Sequence, residues 1–199
     1  VMEVSSHGLE LGRVRGCSFD VGVFTNLTQD HLDFHGSMDA YRRAKLRLFE
    51  EHLTPAATAV VNHDDPASDE ICATARAAGA RVLRTSCDAN ATAEIRLLDA
   101  RCEMDGSHAR IALPSGPLEI DMPLLGNFNL ENLLAACATT EALGIKPEAI
   151  QRGIAECPQV PGRVERVGTH LANQPTVIVD YAHTPDAIDK LLRSLRPLT

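Results

Sequence analysis

Residues 19–49 constrain the fold most, because they read as a buried strand, a polar loop and an amphipathic helix in direct succession. Gly36 and Ser37 close the loop as a turn and a helix N-cap, and the helix begins at Met38. This succession is a unit of α/β folds, so we expect a mostly parallel sheet with helices. The strand is predicted from four β-branched or aromatic residues that precede the polar Thr25, namely Phe19, Val21, Val23 and Phe24.

Lys45 lies on the apolar face of the predicted helix. It follows Tyr41 by four residues and precedes Leu48 by three, and both belong to that face. A lysine in such a position reaches out to water, pairs with an acid, or loses its charge through a lowered pKa. Reaching out to water is the common outcome. A neutral amine, however, is a nucleophile that forms a carbamate with carbon dioxide, and a carbamate binds metal as an extra carboxylate.

The loop before this helix brings four polar side chains together within six positions: Asp30, His31, Asp33 and His35. A neutral imidazole such as that of His31 binds divalent ions, although Mg²⁺ prefers oxygen ligands. Asp30 and Asp33 alternatively cap the turn, and His35 is alternatively a merely exposed residue. The loop is therefore a candidate for binding or reaction.

The rest of the chain continues the strand and helix patterns. Three short alternating runs between residues 93 and 123, separated by MDGS and LPSGP, predict a small antiparallel meander. Pro158 and Pro161 interrupt the pattern in a connector, where we place a domain boundary. Strands are predicted at 1–4, 56–61, 81–86 and 176–181, and helices at 67–78, 128–143 (with Leu143 on the buried side), about 147–157 and from Pro185 onward.

Composition limits the classes of partner and compartment. The 199 residues contain 27 acidic and 19 basic side chains, which disfavours nucleic acid or an anionic membrane as a partner. No apolar run approaches the ~20 residues that span a bilayer, and six scattered cysteines without a CxxC pair indicate free thiols. We therefore expect a cytoplasmic protein. Because the chain opens without methionine inside a predicted strand, we expect a fragment.

Several polar residues follow predicted strands or open predicted helices, where α/β proteins collect ligands. Each also has a plain structural explanation as a turn, a cap or an exposed side chain. Asn62, Asp64 and Asp65 are interpreted as plain turn residues. The binding candidates are Glu3, Ser5, Asn129, Asn132, Arg163, Asp180, Tyr181 and His183.

Five strings in this order and at these distances resemble those of the Mur ligases: MEVSSHGL, VFTNLTQDHLDFHGSMDAYRRAKLRLF, LLGNFNLENLLAA, PGRVERV and VDYAHTPDA. Within that family, the chain is most similar to the ligases that add the third amino acid to a UDP-N-acetylmuramoyl-dipeptide. The resemblance implies that residues 1–158 are the C-terminal part of the central ATP-binding domain. Residues 159–199 would then begin the Rossmann-like C-terminal domain.

The resemblance also implies roles for individual residues. Glu3, His31 and a carbamylated Lys45 would act in catalysis by holding a magnesium ion. Ser5 and Arg13 match positions that contact the UDP-muramoyl-peptide substrate. The positions that match ATP contacts in the family are Asn129, Asn132, Arg163, Asp180, Tyr181 and His183.

The implied reaction is ATP-dependent formation of an amide bond. ATP phosphorylates a carboxylate of UDP-N-acetylmuramoyl-L-alanyl-D-glutamate, and the amine of meso-diaminopimelate or L-lysine then displaces phosphate from the acyl phosphate. This reaction serves peptidoglycan synthesis, and with it cell-wall biogenesis, cell shape and cell division. Such ligases need a GxxxxGK[ST] loop for the ATP phosphates, and the 199 residues contain none. In relatives that loop lies upstream, so we expect the isolated chain to be inactive.

Three alternatives stay open at the level of sequence. Another Mur ligase or a folylpolyglutamate synthase would share the same middle domain. A carbamyl-lysine metallohydrolase would use two metals, but it predicts further histidine ligands at strand ends, of which the sequence has few. A non-catalytic binding module would lack the phosphate loop by nature.

Overall fold

The computed structural model describes residues 1–168 and 175–198. The strands are β1 (Phe19–Phe24), β2 (Leu53–Asn62), β3 (Arg81–Ser86), β4 (Ile95–Glu103), β5 (Gly106–Leu113), β6 (Gly116–Met122), β7 (Glu165–Val167) and β8 (Val177–Val179). The helices are α1 (Ser6–Glu10), α2 (Leu32–His35), α3 (Met38–Glu51), α4 (Ser68–Ala77), α5 (Asn127–Ala142), α6 (Pro147–Ala155) and α7 (Pro185–Leu195), with a 3₁₀ turn at Arg196–Leu198.

Strands β1 to β6 form one sheet in sequence order. The first four strands are parallel, and β4, β5 and β6 pair antiparallel as the predicted meander. The meander is joined to the parallel part of the sheet by only two residue pairs, Thr85 with Ile95 and Ser86 with Arg96. The α/β class and the meander predicted from the sequence are thus confirmed, and the meander extends the main sheet instead of standing apart from it.

Strand β2 shows why the sheet is covered by helices on both faces. Val60 packs into a core with Leu134 of α5, whereas its neighbours Ala59 and Val61 pack on the opposite side with Phe49 of α3. Successive strand residues point to opposite faces, so a strand that is buried at five successive positions, as β2 is, needs cover on both sides. This packing fixes α3, and with it Lys45, against the sheet.

The strand, loop and helix predicted over residues 19–49 are confirmed. β1 ends at Phe24 and α3 begins at Met38, and the Ser37 hydroxyl accepts a hydrogen bond from the Ala40 amide at 3.2 Å as an N-cap. Thr184 caps α7 in the same way, because its hydroxyl accepts a hydrogen bond from the Ala187 amide at 3.3 Å.

The strand predicted at residues 1–4 is wrong. These residues pair with no described strand, and Val1 and Met2 are exposed. β1 is the edge of the described sheet, and residues 1–4 do not pair with the backbone groups that this edge leaves open. The turn expected after it is the short helix α1, which Ser5 caps by accepting from the Gly8 amide at 3.0 Å.

Two further predictions need correction. Leu143 is not buried, because it lies one residue beyond the end of α5 and is 55% exposed. The strand predicted at 176–181 is shorter, since β8 covers only Val177–Val179 and pairs antiparallel with β7. We refer to residues 159–168 and 175–198 as the second lobe, and to residues 1–158 as the first lobe.

Among the residues that the structure describes, no helix has the length and apolar character needed to cross a bilayer.

Candidate active site

A cavity of about 590 Å³ runs along β1 and reaches α1, the loop after β1 and α3. Its lining includes Glu3, His31 and Lys45, the three residues that the family resemblance grouped at one metal site. Ser5 lines it as well, whereas Arg13 is exposed and lies outside the lining. We call this space the β1 cavity.

Lys45 enters the β1 cavity from the half-buried side of α3. Its Nζ lies 5.2 Å from the centroid of the Tyr41 ring, in cation–π range. Burial lowers the pKa of the Lys45 ammonium, while the carboxylates of Asp65, Asp30 and Glu3 act in the opposite direction. The burial effect is the larger one, so the amine of Lys45 loses its proton more readily than that of an ordinary lysine.

His31 is held in a left-handed backbone conformation, with φ of 54° and ψ of 24°. This region is uncommon for residues other than glycine. The Asp30 carboxylate accepts the backbone N–H of His31 at 2.7 Å, and the same Oδ1 atom lies 3.6 Å from the ring Nδ1. Asp30 thus supports the turn, which is the alternative role that the sequence suggested for it. The carboxylate of Asp30 also lies on the Nδ1 side of the His31 ring.

The donor set of the β1 cavity suits a divalent cation only if Lys45 is modified. Within residues 1–168 and 175–198, no three His, Cys, Asp or Glu side chains form a group that could hold a metal ion. Glu3 and His31 provide one carboxylate and one imidazole. A carbamate on Lys45 would add the oxygen donors that Mg²⁺ prefers. The fit of the cavity to a cation therefore depends on this modification.

We expect ¹³C-labelled bicarbonate to give a carbamate resonance from Lys45 at mildly alkaline pH. Only an unprotonated amine attacks carbon dioxide, and the lowered pKa enlarges that fraction at Lys45. The signal should weaken as the pH falls and vanish in Lys45→Met. The chain has two other lysines, and Lys146→Met is the matched control that should keep the signal. A resonance that survives Lys45→Met would contradict the assignment.

A second cavity of about 610 Å³ lies between the two lobes. Its lining comes from the loop after β1, the N-terminus of α5 and the second lobe. All six residues predicted at the ATP site line it, namely Asn129, Asn132, Arg163, Asp180, Tyr181 and His183. We call this space the inter-lobe cavity.

The two asparagines of the inter-lobe cavity are linked in series. The Asn129 amide donates to the Leu125 carbonyl at 2.7 Å, and its Oδ1 accepts from Asn132 Nδ2 at 3.1 Å. Asn129 is only 9% exposed, so it acts as a support for the exposed Asn132. Asn132 is thus the better placed of the two to contact a ligand.

The second lobe presents a stack of polar and aromatic groups to the same cavity. The guanidinium of Arg163 lies 5.4 Å from the Tyr181 ring centroid, and the His183 ring lies 5.0 Å from that of Tyr181. Asp180 accepts from the amides of Val164 and Ala182, each at 2.8 Å, so both of its oxygens hold the local turn. The Tyr181 ring is 67% exposed and offers a face for stacking.

The turn interpretation of Asp64 and Asp65 is confirmed. Asp64 accepts from the Ser86 hydroxyl at 2.6 Å and from the Cys87 amide at 2.7 Å. Asp65 accepts from the amides of Ala67 and Leu27, both at 2.8 Å. These carboxylates tie neighbouring loops together at the end of the sheet.

Sequence reasoning missed two contributors to these cavities. Tyr41 was assigned only to the apolar face of α3, yet its ring contacts both Lys45 and His31. Its position four residues before Lys45 was the available signal. Lys190 of α7 lines the inter-lobe cavity, and no motif in the sequence singled it out. A larger cavity of about 790 Å³ on the meander contains none of the predicted site residues.

Family models match most of the sequence. The model of the Mur ligase middle domain matches residues 1–140. The chain belongs to the Mur ligase family. A second model, described as "Mur ligase, glutamate ligase domain", matches residues 162–199. The two matches lie on either side of the connector, and the boundary at residue 158 stays a prediction of the sequence.

This Mur ligase chain is similar along nearly its whole length to curated relatives. It is 43% identical over 197 residues to the UDP-N-acetylmuramoyl-L-alanyl-D-glutamate–2,6-diaminopimelate ligase of Nostoc sp., and 46% identical over 197 residues to the ligase of the same name from Gloeobacter violaceus. In both comparisons, 99% of the chain is covered. The chain spans 39% of the length of each of these relatives.

Solved structures of Mur ligases share the fold. A UDP-N-acetylmuramoyl-L-alanyl-D-glutamate–2,6-diaminopimelate ligase superposes with a TM-score of 0.82 at 36% identity, over 98% of this chain and 39% of that one. MurF from Acinetobacter baumannii gives 0.79 at 22% identity, over 90% of this chain and 38% of that one. The S73A mutant of L. casei FPGS gives 0.73 at 21% identity, over 90% and 43% of the two chains. The last two show a common fold alone.

Proposed function

We propose that this chain is the metal- and nucleotide-binding part of a UDP-N-acetylmuramoyl-tripeptide synthetase (MurE). The enzyme would use ATP to join a diamino acid to UDP-N-acetylmuramoyl-L-alanyl-D-glutamate through an acyl phosphate, in peptidoglycan precursor synthesis in the cytoplasm. The curated relatives carry the name of the ligase for 2,6-diaminopimelate, which makes that amine the first choice and L-lysine the alternative. Because the chain spans 39% of those relatives, a longer protein would supply the phosphate loop.

The observation that carries this proposal is that one loop lines both cavities. Thr25 and His31 line the β1 cavity, while Asn26, Thr28 and Asp30 between them line the inter-lobe cavity. A ligase that makes an acyl phosphate must bring a substrate carboxylate to the γ-phosphate of ATP. Two adjoining cavities, one proposed to hold the metal ion and one proposed to hold the nucleotide, would provide that arrangement.

The residues of the β1 cavity would reduce the electrostatic repulsion between the two anionic substrates. Glu3, His31 and carbamylated Lys45 would hold Mg²⁺ there. When bound, the ion offsets the repulsion between the substrate carboxylate and the phosphate. Ser5 lines the same cavity and would contact the UDP-muramoyl-peptide. The exposed Arg13 would contact the same substrate from outside that lining.

The residues of the inter-lobe cavity would bind ATP. Asn132 presents an amide that can pair with the edge of adenine, while Asn129 holds it in place. The exposed face of Tyr181 suits stacking, and the fork of Arg163 suits bidentate binding of a phosphate. Asp180 keeps Tyr181 and His183 in position through its two backbone contacts. These groups come from both lobes, so nucleotide binding would require both.

The test is product analysis with the full-length protein that contains this chain. Incubation with ATP, Mg²⁺, UDP-N-acetylmuramoyl-L-alanyl-D-glutamate and 2,6-diaminopimelate should yield the tripeptide nucleotide and an equal amount of ADP, resolved by HPLC. Product formation with L-lysine but not with 2,6-diaminopimelate would identify L-lysine as the amine substrate. Turnover only with a different nucleotide peptide, or with folate and glutamate, would favour another ligase of the same fold.

Two results would overturn the ligase proposal altogether. Metal-dependent hydrolysis without ATP would favour a carbamyl-lysine hydrolase, since hydrolysis at such a centre needs no nucleotide. Failure of the full-length protein to bind ATP, measured by calorimetry, would favour a binding module.

A further inference from the structure

Five rings pack together at the mouth of the β1 cavity, where α1, α2 and α3 meet. We call this group the ring cluster, and its members are His7, His31, Phe34, His35 and Tyr41. Only His31 belongs to the proposed metal donors. The other four have no assigned role, and two of them contact His31 directly.

Two neighbouring rings contact the His31 ring edge to face. The His7 ring lies 4.8 Å from the His31 ring at an interplanar angle of 88°, and the Tyr41 ring lies 5.8 Å away at 90°. Both fall in the range preferred by interacting aromatic pairs. These two contacts restrict the orientation of the His31 imidazole, and the backbone of His31 is in an uncommon left-handed conformation.

The His7 ring also contacts two further rings of the cluster. Its ring lies 4.1 Å from that of Phe34 and 5.4 Å from that of His35. His35 is anchored in turn, since its Nε2 is 2.9 Å from the Ser6 hydroxyl and its ring stacks on Tyr41 at 5.2 Å. The cluster therefore links α1 to α2 and α3 and places His7 against His31, and His7 is not among the residues that line the β1 cavity.

We propose that His7 is a positioning residue that orients the His31 imidazole toward the cation. The proposal rests on the proposed function, because it assumes that His31 binds a metal. His7 acts through the shape of its ring, so an aromatic ring without nitrogens should orient the His31 imidazole equally well. A hydrogen-bonding or metal-binding role for His7 would instead require its nitrogens.

The experiment measures Mn²⁺ binding by electron paramagnetic resonance, in the full-length protein with bicarbonate and without nucleotide. His7→Ala should weaken Mn²⁺ binding by about 10-fold, the lower range for losing a group that orients a metal ligand. His7→Phe should bind within about threefold of the unmodified protein, because it keeps the ring contact. His108→Ala is the control, since it removes an exposed imidazole on the meander, and it should change nothing.

Each outcome separates the inference from the proposed function. If His31→Ala does not weaken Mn²⁺ binding, the proposed metal site itself is wrong. If His31→Ala weakens binding but His7→Ala does not, only the role of His7 is wrong. Loss of binding in both His7→Ala and His7→Phe would also overturn it, because nitrogens would then be needed. Circular dichroism checks folding, and His7→Leu replaces His7→Ala in the comparison if the alanine variant unfolds.

Discussion

Lys45→Ala in the full-length protein is expected to lower ligase turnover by at least about 100-fold, the scale for losing one group that stabilises charge in the transition state. The physical reason is that Glu3 and His31 alone leave the β1 cavity without enough donors for a cation. Added bicarbonate should not restore activity, because alanine has no amine to carbamylate. Phosphate release at saturating ATP, dipeptide substrate and diamino acid measures the effect.

Arg43→Ala is the control for Lys45→Ala. Arg43 lies two residues earlier on α3, is largely exposed and pairs with Asp39 on the same helix. An exposed pair of this kind contributes little to stability, so turnover should stay close to normal. Near-normal turnover of Lys45→Ala itself would remove Lys45 from the mechanism, even if the carbamate resonance is present.

Leu134→Ala is expected to cost about 2–5 kcal/mol of the free energy of unfolding. Leu134 is 1% exposed on α5 and belongs to the core that this helix forms with β2, β3 and the meander. Truncation leaves a cavity that close-packed neighbours fill only in part. Urea unfolding followed by circular dichroism should show a lower midpoint with an unchanged slope.

Leu143→Ala is the matched control, because it makes the same chemical change next to the same helix. Leu143 is 55% exposed, so its truncation should alter stability by no more than about 0.5 kcal/mol. Equal losses in the two variants would mean that α5 is not packed as described.

The parts of the fold that follow from local spacing were predictable. The period of the apolar residues and the Ser37 cap located α3, and the same spacing placed Lys45 beside Tyr41. The three alternating runs located the meander, because turn residues between them leave room only for hairpins. Both inferences use neighbours that are close in sequence.

Predictions failed where the local structure depends on a partner that is distant in the sequence. An apolar run such as residues 1–4 is a strand only when another strand pairs with it, and composition does not report that partner. The left-handed conformation of His31 was equally invisible, since a histidine carries no local signal for it. Family resemblance, not spacing, grouped Glu3 with His31 and Lys45.

The sequence by itself determined the succession of strands and helices, because each depends on side chains a few residues apart. Only the tertiary structure decided that Glu3, His31 and Lys45 line one cavity, and that six residues from both lobes line the next. It also decided that a single loop borders both. These juxtapositions arise from the packing of α1, α3 and the second lobe around the sheet. The segments concerned are far apart in the chain, so local sequence patterns do not reveal that they are in contact.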